Sequence, residues 1–387
     1  MSEVLSLEEK KKRIAELNQN FAKKYGEKGQ VRIGTEVLKV EPMSTGILGL
    51  DLALVKPMPR GRLISIAGTE SSCKTTTALT TIATEMKNNP NAFAYYCDVE
   101  QALDTEYAEA LGVDLTRLVV DSDSVGEQAL TKLRDSIASG LYSIAVLDST
   151  NAICASKQEE ENITATEMGI RARLLSATYP QLVNACGKTN TLLIVIEQIR
   201  SKIGGYGNPE INTVGNAGKF YMTQRLMMRR QTQVEEDDNG VAISNEVKCS
   251  VIKNKVAPPF KKCNLVCLYG KGFDKMIDTI KLASQLGVVE KKGAWIYYPD
   301  KETSDKEHRW QGEDSFKQYL SDNKDFYEII NKATLDKYNN SNKEEVMKDD
   351  DDTDRKNAEK ETLEDLKTTS KDNSAISDGS DEFKEGE

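Results

Sequence analysis

An apolar run, Leu63 to Ala67, feeds directly into Gly68-Thr69-Glu70-Ser71-Ser72-Cys73-Lys74-Thr75-Thr76, and a helical pattern follows. A strand that turns through a short loop into a helix beginning at lysine converges backbone N–H groups and the helix N-terminus on one point, which suits a phosphate chain. In such a P-loop the lysine, here Lys74, reaches the β- and γ-phosphates and the next hydroxyl, Thr75, faces Mg2+. Gly68 to Thr76 are therefore the candidate nucleotide-binding residues, with ATP or GTP as the ligand. One position departs: the pattern asks for glycine immediately before the lysine, and Cys73 stands there.

With 387 residues, 38% of them hydrophobic, the chain can bury one large core and one or two small satellites. No apolar stretch approaches the roughly 20 residues that span a bilayer, and the first residues are too charged for a secretory signal, so a cytoplasmic protein is expected. Seven scattered cysteines without CxxC spacing and a single histidine, His308, indicate neither a zinc site nor a disulfide framework. The net charge of −10 argues against a nucleic-acid partner until its distribution is considered. Glu344 to Glu387 carries 17 acidic and 7 basic residues, which accounts for all of it. The body is neutral and can carry basic stripes, whereas the acidic end reads as a disordered, solvated tail over 337–387.

Ser6-Leu7-Glu8-Glu9 fits a capping box, and Ile14, Leu17, Phe21 and Tyr25 recur at helical spacing before Gly26. This N-terminal segment, 1–37, cannot bury its stripe alone and is expected to pack on the core or on another subunit. From 38 to 273, the runs Leu63 to Ala67, Ala92 to Cys97, Leu118 to Val120, Ile144 to Leu147 and Leu192 to Ile196 alternate with helical segments. That pattern predicts an α/β core with a mostly parallel sheet flanked by helices. Glu246 to Ile252 and Cys263 to Leu268, separated by Pro258-Pro259, predict an antiparallel extension. Residues 274–336, with Trp295 and Trp310, form a small mixed α/β lobe.

Ile144 to Leu147 ends in Asp148, which places a carboxylate at the sheet edge where it can reach Mg2+ beside Thr75; both are candidate metal ligands. Glu100, just beyond the strand Ala92 to Cys97, can reach the same edge and orient an attacking water. Alone, each has a bland alternative, a helix cap for Asp148 and a surface acid for Glu100.

Together with the phosphate loop, Asp98-Val99-Glu100-Gln101-Ala102-Leu103-Asp104, Gly126-Glu127-Gln128-Ala129-Leu130, Glu197-Gln198-Ile199-Arg200, Gly207-Asn208-Pro209-Glu210 and Lys253-Asn254-Lys255 follow the order of motifs in the RecA family. The resemblance runs from about residue 7 to 335, includes Gly293-Ala294-Trp295, and leaves only the tail unmatched. It implies a DNA-dependent ATPase that forms a helical filament on single-stranded DNA and exchanges strands with a homologous duplex, using ATP and Mg2+. By that resemblance Ser149 supports the metal side with Asp148, Asp104 and Tyr107 hold the adenine, and Gln198 senses the γ-phosphate. Lys253 and Lys255 match lysines that reach a neighbouring subunit's ATP, where Tyr269 and Gly270 also contribute. Single-strand-binding and mediator proteins are further implied partners; a membrane is not.

Two segments read as DNA-facing loops: Ser156 to Met168, leading into a helix with Arg171 and Arg173, and the glycine-rich Ile199 to Asn216. The resemblance assigns Met168 and Tyr206 to positions that insert between bases, and Arg173, Ser176, Arg200, Gly215 and Asn216 to backbone contacts; Lys202 adds a cation. Arg229, Arg230 and Lys248 match a weaker site for an incoming duplex, although Ser250 replaces an expected cation, and Lys291 with Lys292 lies where the family gathers duplex. Cys73, Gln101, Glu197 and the lack of glycine around Val55 to Met58 depart from the common bacterial pattern and suggest a divergent, bacteriophage-type member. A hexameric helicase with the same core, or a structural single-strand coat that binds ATP with little hydrolysis, are the alternatives.

Overall fold

The computed structural model describes residues 5–26, 40–122, 126–153, 167–201, 210–212, 215–236, 239–299 and 308–340. By internal contacts the chain divides between residues 41 and 42. The first unit contains the helix Leu7–Tyr25. Its capping box is complete, with the Ser6 hydroxyl accepting from the Glu9 amide and the Glu9 carboxylate accepting from the Ser6 amide at 2.9 Å. Leu7, Ile14, Leu17 and Tyr25 are exposed on it.

The second unit is organised by a ten-stranded sheet in the order β10-β9-β8-β7-β1-β5-β4-β2-β3, with β6 paired to β5. The strands are β1 (Leu63–Gly68), β2 (Ala94–Asp98), β3 (Leu118–Asp121), β4 (Ile144–Asp148), β5 (Leu192–Ser201), β6 (Glu210–Asn212), β7 (Gln224–Glu236), β8 (Ala242–Asn254), β9 (Lys262–Leu268) and β10 (Gly272–Phe273). From β7 through β1 to β3 every pairing is parallel; β7 to β10 form the antiparallel extension. The expected mostly parallel sheet is therefore present, and Cys263 to Leu268 lies within β9.

Near-continuous apolar strands bury both faces. Ile64, Ile66, Tyr96, Val146, Ile194 and Leu226 face one core with the helix Lys74–Asn88. Their alternates Leu63, Tyr95, Leu147, Leu193 and Val195 face a second core with the helices Gly126–Ala138 and Glu167–Thr189. Parallel order brings all the carboxyl ends of these strands to one edge, where a ligand is bound in open α/β sheets. The register aligns Gly68 with Gln198 and Asp98 with Asp148 on that edge.

The C-terminal lobe wraps the helices Lys275–Gln285, Gly312–Asp322 and Lys324–Asn340 around an antiparallel sheet of β11 (Glu290–Lys292), β12 (Trp295–Tyr297) and β13 (Arg309–Gln311). Phe316 is fully buried there, 4.5 Å from Trp310 between ring centres. No described helix is long and apolar enough to cross a membrane.

The lobe is tied to the core by Asp278, whose carboxylate accepts from the Gly49 amide at 2.8 Å. Burial, together with the Asp51 charge, pushes Asp278 up to about 6. The folded state then holds a proton that the unfolded chain has released between about pH 4 and pH 6, so this contribution to stability is present at low pH and is lost as pH rises through 6. Relative to Asp278→Asn, the wild type should lose about 2 kcal/mol of stability between pH 4 and pH 7. Denaturant melts of both proteins across that range check it; a constant difference refutes it.

Candidate active site

Two features make the loop after β1 a phosphate cradle. A Cβ on Gly68 would lie 2.4 Å from the Met228 carbonyl oxygen on β7, so only glycine lets the chain leave the sheet there. Beyond it, Ser71 and Cys73 both have left-handed backbone, with φ of 56° and 61°. The glycine that the pattern wants before Lys74 serves this conformation, and Cys73 adopts it as the N-cap of the helix Lys74–Asn88 at a cost of about 1 kcal/mol.

The Thr69 carbonyl accepts from Lys74 Nζ and from the Ser72 hydroxyl, each at 2.7 Å. Glu70 and Ser71 are exposed, whereas Lys74 is 8% exposed and burial pushes its ammonium below its ordinary range. Thr75 Oγ1 donates to Asp148 Oδ2 at 2.8 Å, and the Tyr96 hydroxyl donates to the same oxygen at 2.6 Å. Burial raises the Asp148 carboxyl, against those two hydrogen bonds. A hydroxyl and a carboxylate oxygen side by side are hard donors of the kind that Mg2+ takes.

Glu100 is exposed yet anchored, since its Oε1 accepts from the Ser149 hydroxyl and, at 2.6 Å, from Gln198 Nε2. The Asp98 carboxylate accepts from the Ala102 and Leu103 amides and so fixes the turn that presents Glu100. Thr76 Oγ1 lies 3.1 Å from the Tyr107 hydroxyl, and Asp104 caps its helix by accepting from the Tyr107 amide at 3.0 Å. Beside them opens a cavity of about 640 Å³ lined by Cys73, Thr76, Asp104, Tyr107, Tyr269 and Gly270 among others. Tyr269 and Gly270, expected at a neighbouring subunit's ATP, line this chain's own cavity instead, together with the phosphate loop and the expected base-holding residues Asp104 and Tyr107.

Three residues that the sequence reading did not select complete the arrangement. Tyr96 orients Asp148, as above. Asn151 holds Gln198 by its backbone, accepting from its amide at 3.1 Å and donating to its carbonyl at 3.2 Å. Its place three residues after Asp148 was the available signal. Asn245, 1% exposed on β8, donates to the Ser71 carbonyl at 3.3 Å. Nothing local in the sequence marks it.

The remaining candidates are dispersed. Lys253 Nζ donates to the Lys219 carbonyl and Lys255 Nζ to that of Phe220 at 2.9 Å, at the end of the helix Gly215–Tyr221. Burial, then the Lys255 and Arg225 charges, pushes Lys253 down to about 8. Arg173 is exposed on the helix Glu167–Thr189, Ser176 spends its hydroxyl on the Ala172 carbonyl at 2.6 Å, and Arg171 donates to the Ile153 carbonyl at 3.0 Å. Arg229 and Lys248 are register partners across β7 and β8, and Arg230 beside them is exposed. Lys291 pairs with Glu313 at 2.9 Å. Lys202 and Tyr206 lie outside the described residues, as do the side chains of Met168, Arg200 and Asn216; Gly215 begins its helix.

A phosphate loop at the centre of a mostly parallel sheet, with its acid two strands away on β4, defines a P-loop nucleoside triphosphatase core of the RecA fold. Family models for the RecA N-terminal domain and the RecA C-terminal domain match residues 12–274 and 277–339. Protein RecA of Parvibaculum lavamentivorans is 38% identical over 319 residues, 81% of this chain and 85% of that one. Protein RecA of Ruminococcus albus is 39% identical over 333 residues, covering 85% and 81%, and that of Wolinella succinogenes 36% over 353, covering 90% and 98%. The chain belongs to the RecA family: it is an ATP-binding DNA recombinase, a DNA-dependent ATPase of recombination and repair.

Proposed function

We propose that the chain polymerises on single-stranded DNA in an ATP-dependent helical filament and pairs that strand with a homologous duplex, in a cytoplasmic setting. The observation that carries this reading is the hydrogen bond between Gln198 and Glu100, because it joins the nucleotide edge to the strand that runs into residues 202–209. A change at the γ-phosphate can reach a DNA-facing segment through two side chains and one strand.

Lys74, Thr75 and Thr76 bind the phosphates, Glu100 orients and deprotonates the attacking water, and Asp104, Tyr107, Tyr269 and Gly270 surround the base. Thr75 and Asp148 would hold Mg2+, which would neutralise charge on the β- and γ-phosphates. Lys253 and Lys255 complete the site of a neighbouring copy, exchanging their helix-end carbonyls for phosphate oxygens. The segment 1–37 seats its exposed residues Leu7, Ile14, Leu17 and Tyr25 on another subunit, and the lobe 274–336 gathers duplex through Lys291. Arg173, Ser176, Arg200, Lys202, Gly215 and Asn216 follow the strand's phosphates, with Met168 and Tyr206 between bases, while Arg229, Arg230 and Lys248 receive the duplex. Specificity comes from base pairing, so cations on the DNA backbone suffice.

A strand-exchange assay between a circular single strand and a homologous linear duplex tests the proposal. Joint molecules that require ATP and homology are expected; their absence, with ATPase intact, overturns it. The acidic segment adds a second expectation. Deleting residues 344–387 should strengthen duplex binding most at low salt, since a tethered polyanion competes for the same cations and its effect is screened as salt rises. Salt titrations of duplex binding with both chains decide this, and equal affinity at low salt removes the tail's role.

A further inference from the structure

Cys73 and Cys267 come from segments nearly two hundred residues apart and meet at the nucleotide cavity, whose wall includes both. Asn245 and Cys267 are register partners on β8 and β9, and the Cys73 thiol reaches this pair, donating to Asn245 Oδ1 at 3.8 Å. Both thiols are free. We propose that Cys73 and Cys267 are a redox-sensitive pair, and that a peroxide joins them in a disulfide that closes the nucleotide site; the closure rests on the nucleotide reading above, the bond itself does not.

The surroundings favour attack from Cys73. It stands at the N-cap position of the helix Lys74–Asn88 beside Lys74 and lines the cavity through which a peroxide reaches it. Cys267 lines the same cavity. The Cys73 thiolate displaces hydroxide from hydrogen peroxide and becomes a sulfenic acid; the Cys267 sulfur then attacks the Cys73 sulfur and water leaves. In sum, two thiols and one peroxide give one disulfide and two waters, with two electrons passing from sulfur to oxygen. A dithiol reverses it by exchange, being oxidised in turn.

A second thiol pair in the same sheet supplies a contrast. Cys249 and Cys263 are also register partners, but Cys249 is fully buried, and its thiol, together with burial, pushes the Cys263 thiol well up. Neither lines the nucleotide cavity. Cys73 alone of these four occupies a loop whose shape the ligand needs. Drawing its sulfur to about 2 Å from that of Cys267 ties the phosphate loop to β9 at the wall of the nucleotide cavity.

The full chain is reduced with dithiothreitol, desalted, treated with hydrogen peroxide, and digested without reductant for peptide mass spectrometry, while binding of a fluorescent ATP analogue is followed. The expected result is a Cys73–Cys267 peptide and about tenfold or greater weakening of nucleotide binding, restored by dithiothreitol. Cys267→Ala and Cys73→Gly, each compared with its own reduced form, should show no such peroxide-dependent loss. If reduced protein binds nucleotide but no bridge forms, or if Cys267→Ala is inhibited as strongly as wild type, the pair is not the switch. Reduced protein that forms the bridge on peroxide treatment but never binds nucleotide would instead overturn the nucleotide reading.

Discussion

Replacing Glu100 with glutamine should lower DNA-stimulated turnover by about 10²- to 10⁴-fold while leaving nucleotide and single-strand affinities in place. The geometry makes this substitution clean. Oε1 of Glu100 accepts from Ser149 and from Gln198, and the amide oxygen of glutamine can accept from both. What disappears is the capacity to take a proton from water. Glu100 is exposed, so the fold has little stake in its charge. Steady-state hydrolysis, read beside equilibrium binding of a fluorescent ATP analogue and a labelled oligonucleotide, separates the outcomes. Binding that falls in step with turnover would make Glu100 a structural residue and leave the general base unassigned.

The parts of this site that could be read in the sequence are those built by contiguous residues. A strand followed by a loop and a lysine-led helix is local, so the cradle from Gly68 to Thr76 was legible, and an apolar run ending in Asp148 announced the acid. The apolar runs also marked β1 to β5, β8 and β9, with their ends moved, Ala92 to Cys97 becoming β2 from Ala94 to Asp98; β7 (Gln224–Glu236) was missed, because its apolar residues Leu226 to Met228 stand between Arg225 and Arg229. Partners contributed across the sheet could not be read. Tyr96 reaches Asp148 because β2 and β4 are adjacent, and Asn245 reaches Ser71 because β8 folds back beside β7.

The departures from the family pattern acquire a physical meaning once the backbone is known. Val55, Cys73 and Gln101 have φ of 63°, 61° and 53°, so all three stand where the chain turns left-handed. A sequence reading sees a missing glycine or an unusual residue; the structure shows side chains accepted at strained positions and held there by neighbours. Gln101 donates to the Ser122 carbonyl at 3.2 Å, and the Val55 amide bonds back to the Asp51 and Leu52 carbonyls. Glu197 is a different case. It is buried on β5 with Arg225 at 3.9 Å, and burial raises its carboxyl above the usual range.

Gln198→Leu should break the link between the two ends of the molecule's work. Leucine keeps the bulk at this position, and Asn151 still grips the backbone amide and carbonyl, so β5 stays in register with β1 and β6. The side-chain amide that donates to Glu100 is lost. The ratio of hydrolysis with single-stranded DNA to hydrolysis without it should fall by about 10- to 100-fold, the usual size of coupling between two sites. The same lost link should also weaken the influence of nucleotide on DNA affinity, an equilibrium coupling distinct from the kinetic stimulation ratio. Measuring oligonucleotide binding with ATP, with ADP and without nucleotide tests that second coupling. If Gln198→Leu kept both the stimulation ratio and the nucleotide dependence of DNA binding, the signal would have to travel by another route. Since β5 pairs with β6 on either side of residues 202–209, the strand itself would be the next element to examine.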